Sequence, residues 1–144
     1  MALSERLDLA FTRGARKLRY ADTQVKEYGY YQGFCKDVFE GMFIPMKGLL
    51  TEIGHTDLAG EKAVIRLFKE NFEEKLELRR LEKELLEQIR EMKENERYGS
   101  RVSWTMEEFS TFMKNCLDLN RRMKRQAVEL MKPKEEEGEK EGGE

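Results

Sequence analysis

Cysteine, proline and histidine are scarce in this 144-residue chain, with two, two and one of each. Cys35 and Cys116 stand about 80 positions apart with no Cys-x-x-Cys, which excludes a disulfide framework or a zinc site. Both cysteines fall on apolar helical stripes and read as buried free thiols. The single histidine, His55, follows Glu52 by three, the spacing of a ligand pair in di-iron bundles. Such sites need a second histidine and inward carboxylates, and Gly54 interrupts this pair. No metal or cofactor is therefore expected.

Other absences narrow the function. There is no glycine-rich phosphate loop after a strand, no His-Glu-x-x-His, and no nucleophile with a nearby histidine. No catalytic residue is assigned, and the chain reads as a non-enzyme. No run approaches the roughly 20 apolar residues of a spanning helix. With charges at Glu5, Arg6 and Asp8, no signal peptide is expected. The expectation is a soluble, cytoplasmic protein. Asparagine and glutamine number only four each while 39% of residues are charged, a composition like that of thermophile proteins and of long charged helices.

Net charge is −2. The segment 100–133 is mildly basic, and the tail from Lys134 carries two basic against six acidic groups. Residues 133–144 are expected to form a disordered acidic tail.

What the chain does have is one uncharged stripe. Leu7, Phe11, Gly14, Leu18, Ala21, Val25, Tyr28, Gln32, Cys35, Phe39, Met42, Met46, Leu49 and Ile53 alternate in steps of four and three. That is the seam of a left-handed coiled coil. It predicts one long helix over about 4–53, capped by Ser4 and kinked at Pro45. A reversal near Gly29–Gly33 is the alternative. Glycines on this helix also permit close helix approach. Gly54–Asp57 reads as a turn, and a second helix is predicted over about 58–97. Its charges pair i,i+4 as Arg66/Glu70, Lys69/Glu73, Arg80/Glu84, Lys83/Glu87 and Arg90/Glu94. A third helix, about 105–132, opens on a Thr105/Glu108 capping box flanked by a Trp104–Phe109 staple and stops at Pro133. The predicted fold is a single all-α domain over 1–132: an elongated antiparallel three-helix, coiled-coil-like bundle.

The unequal lengths, about 75, 60 and 40 Å, leave one end of the first hairpin beyond the reach of the third helix. That end is the most apolar part of the chain. Phe39, Met42, Phe43, Met46, Leu49, Leu50, Ile53, Val64, Ile65 and Phe68 are the expected interface of a homodimer. The leading expectation is thus an interaction module that self-associates through this tip, about 39–68, with no small-molecule substrate indicated. The second is a nucleic-acid-associated accessory protein. It would use two basic clusters, Arg13, Arg16, Lys17, Arg19 and Arg121, Arg122, Lys124, Arg125, brought together along parallel helices. The third is membrane-surface binding through 42–50, weakened by Lys47 being the sole nearby cation. The aromatic group Tyr28, Tyr30, Tyr31 and Phe34 reads as packing, with Gln32 setting register.

Overall fold

The computed structural model describes residues 3–29, 34–56, 58, 60–94 and 105–131. The acidic tail, the Trp104 side of the staple, Asp57 and the group from Tyr30 to Gly33 lie outside them. All elements among the described residues are helical: α1 (Glu5–Tyr28), α2 (Phe34–Glu52), α3 (Glu61–Phe72), α4 (Arg80–Glu94) and α5 (Met106–Leu130).

The long first helix is two helices. Ser4 caps α1, accepting the Leu7 N–H at 3.1 Å. Gly29 ends it at φ +67°, the left-handed conformation that glycine adopts freely. Tyr28, the seam residue at this point, is exposed. The chain then returns antiparallel along α2, which runs through Pro45 without ending. The stripe could not separate these outcomes. When the chain reverses, its two halves face each other, so both stay apolar.

Close backbone contact holds this hairpin. Pro45 has no N–H to offer the carbonyl of Gly41, and that carbonyl meets Gly14. A Cβ on Gly14 would lie 2.4 Å from the Gly41 oxygen and 2.9 Å from the Pro45 ring. One on Gly48 would lie 2.8 Å from Ala10 Cβ. Ion pairs mark the same register on the flanks, Lys17–Glu40 at 2.9 Å and Arg6–Glu52 at 2.9 Å, with Ser4 Oγ also donating to Glu52.

The second predicted helix is also two. Between α3 and α4 the chain turns at 73–79, with Glu77 at φ +53°. Leu76 and Leu78 are both buried, which one straight helix face does not allow, and Leu81 is left exposed. Consequently the expected i,i+4 partners re-pair. Lys69 meets Glu87 (3.5 Å) and Lys83 meets Glu73 (3.9 Å) across the turn, while Arg80–Glu84 and Arg90–Glu94 form as expected.

The corner is fastened from afar. Glu82, buried, accepts the Arg79 N–H at 2.8 Å and the Arg122 guanidinium at 2.9 Å. Arg122 also donates to the Glu77 carbonyl at 2.8 Å. Its helix, α5, begins with the expected capping box. It runs antiparallel to α1, not parallel: Lys124 meets Asp8 at 2.8 Å near one end, and Phe34 meets Phe109 edge-on at the other.

α2 therefore lies at the centre, touching every other helix. Its apolar residues occupy more than one face because it is covered on more than one face. Leu49, Leu50 and Val64 are fully buried inside the chain's own core, so there is no bare hairpin tip.

Gly14→Ala lowers the unfolding free energy by about 1–3 kcal/mol through overpacking. In an uncrowded helix interior the same change adds about 0.5–1 kcal/mol. Urea denaturation reads the sign.

Candidate functional site

α3 and α4 approach each other mainly through long charged side chains, and between them the surface of α2 is left partly open. Phe39, Met42, Phe43 and Met46, spaced i, i+3, i+4 and i+7, form the floor of the resulting groove. Ile65 and Phe68 line the α3 wall, and Leu86 and Ile89 the α4 wall. The hollow measures about 270 Å³. Phe39 and Phe43 stack at 5.3 Å, and the Lys93 ammonium sits 5.2 Å from the Phe39 ring centre.

Three ion pairs tie one rim to the other: Glu61–Lys93 at 2.6 Å, Lys69–Glu87 at 3.5 Å and Glu73–Lys83 at 3.9 Å. The Arg90 guanidinium, which also pairs with Glu87, and then Lys69 hold the Glu87 carboxyl below its usual range. Toward the start of α3 the groove is adjoined by a wider hollow, its mouth, of about 540 Å³, which shares Phe39, Ile65, Lys69 and Arg90 with the narrow part. Among the described residues the mouth carries five cations (Lys62, Arg66, Lys69, Arg90, Lys93) against two acids (Glu61, Glu94). Lys62 and Arg66 are exposed and have no acidic partner among the described residues.

Six of the ten residues expected at a dimer interface line this groove: Phe39, Met42, Phe43, Met46, Ile65 and Phe68. Leu49, Leu50 and Val64 are core, and Ile53 is exposed beside Gly54. Met42 and Met46, proposed from sequence as part of a membrane wedge, are buried on the floor instead. No helix among the described residues is long and apolar enough to cross a membrane.

The two basic clusters fare differently. Lys17 pairs with Glu40, Arg121 with Asp118, Arg122 with Glu82 and Lys124 with Asp8. Arg13, Arg16, Arg19 and Arg125 are exposed and have no such partner among the described residues. The first three share α1 with exposed Tyr20.

Glu52 is engaged by Ser4 and Arg6. Among the described residues no group of three or more metal-ligating side chains is gathered. Burial pushes the Cys35 thiol up to about 11 and raises Cys116 further, so neither is a thiolate at neutral pH.

A depressed carboxylate stabilises the fold above its unfolded value, here 4.5, and loses that contribution as pH falls through the folded value. Acidification from pH 6 to below 4.5 is therefore expected to loosen the Glu87 strap. Amide exchange should rise in α3 and α4, and also where Glu52, held low in the same way by Arg6 and Ser4, joins α1 to α2. Comparison with protein-family models, with curated proteins and with solved structures finds no match to this chain.

Proposed function

We propose that this chain is a non-enzymatic binding module whose working surface is the groove on α2 between α3 and α4. One observation carries the reading. The central helix, packed against neighbours on its other faces, carries an open hollow of about 270 Å³ over an apolar floor. Its floor is aromatic and methionine-rich, and thioether side chains adapt to differently shaped guests. Its size is near the lower end of small-molecule sites, about 300–1,000 Å³. Self-association, the leading expectation from sequence, needs a second copy to seat an apolar segment in this same groove.

Ile65 is half-buried on the wall, so a charge there reaches water without unfolding the core. Wild-type protein is expected to take up a neutral apolar dye saturably, and Ile65→Glu to weaken uptake about tenfold or more with the helical signal retained. No uptake, or equal uptake by both proteins, overturns the reading.

A second reading rests on Arg13, Arg16 and Arg19, the uncompensated arginines on the outer side of α1. Such a stripe suits a phosphate backbone. Binding of single-stranded DNA or RNA should fall steeply as salt rises and vanish in Arg13→Glu/Arg16→Glu. Salt-independent association counts against it.

A further inference from the structure

Resting on the groove reading, we propose that the occupant is a single-chain amphiphilic anion, an unbranched alkyl carboxylate. Its chain lies along the α2 floor and its head group meets Lys62 and Arg66. Three features of the groove select this chemistry over other guests.

The first is width. An α-helix with its side chains is about 10 Å across. The rims here are joined by side-chain ion pairs at 2.6–3.9 Å. A helix requires these straps to part, and an alkyl chain, far thinner than a helix, displaces them less.

The second is continuity. The narrow apolar part and the wide mouth share Phe39, Ile65, Lys69 and Arg90. A chain on the floor reaches the mouth along Phe39 and Ile65, beside the Lys69 and Arg90 side chains.

The third is polarity along the groove. At the narrow end the rim charges balance, with Lys69, Lys83 and Arg90 against Glu73, Glu84 and Glu87. At the mouth cations exceed acids, and the surplus is Lys62 and Arg66, one turn apart on α3 and facing the same opening. The other mouth cations are already committed to Glu61, Glu87 and Glu94. An anionic head finds two donors there that no acid among the described residues engages, and Arg66 offers the forked geometry that suits a carboxylate.

The test titrates the full chain with dodecanoate below its micelle concentration, with 1-dodecanol and butanoate as chain-only and head-only comparisons, by calorimetry. Saturable one-to-one binding of dodecanoate, tighter than either comparison, is the expected result. Lys62→Glu/Arg66→Glu, which changes only exposed positions, should weaken dodecanoate about tenfold and leave 1-dodecanol unchanged. If dodecanoate and 1-dodecanol bind alike and the double variant changes neither, the head site is wrong while the groove reading stands. If butanoate matches dodecanoate, the proposal falls to simple anion attraction. A dimer in light scattering that takes up no dodecanoate, and that Ile65→Glu dissociates, assigns the groove to a second copy instead. If neither long-chain probe binds and the protein is monomeric, this proposal and the groove reading both fail.

Discussion

The contact of Gly14 with the Gly41 carbonyl and the Pro45 ring sets the position of everything else. Two helices can lie this close only where a side chain is missing, and the missing atom would fall 2.4 Å from an oxygen. Because Pro45 supplies no N–H, the Gly41 carbonyl lacks its usual intrahelical donor, and the bare backbone of Gly14 is what packs there. With α1 held so tightly on one side, α2 has its remaining faces free for α3, α4 and α5. A helix rich in Phe and Met thereby becomes the axis of the molecule, and the groove lies over its surface.

Fold class was plain in the sequence because helical periodicity is a local property. The capping box at Thr105 and the caps at Ser4 and Gly54 were plain for the same reason. Chain reversals were harder. Gly29 stood in view, but Gly14, Gly33, Gly41 and Gly48 lay within the same predicted helix, and among the described glycines of that span only Gly29 takes the left-handed conformation. The corner after Phe72 contains no glycine or proline. Its one signal was the two-residue step from Leu76 to Leu78, which breaks the phase of the stripe. The charge pattern hid the break, since Lys69, Glu73, Lys83 and Glu87 pair equally well along one helix or across two.

The candidate site was legible as composition but not as shape. An excess of apolar residues around Phe39, Phe43 and Ile65 could mean an exposed tip or a central helix. The choice depends on whether the chain bends at 73–79. Likewise, eight basic residues in two clusters looked equivalent. Their difference is made by acids distant in sequence, as Asp8 is from Lys124 and Glu82 from Arg122.

That last pair also bears on the order in which the molecule assembles. Arg122 reaches back 40 positions to Glu82 and 45 to Glu77. The residues it fastens have ordinary helix-forming character, and Glu77 is the only residue other than glycine in the left-handed region among those described. Locally the bend is favoured by the Arg79–Glu82 contacts and by the Leu76–Leu78 step, and closing the loop to Arg122 is slow relative to forming a helix. The groove's walls are encoded at 61–94, yet the bend that turns them toward each other is clasped by a side chain at 122, so the shape of the middle third depends in part on a helix that lines none of the groove.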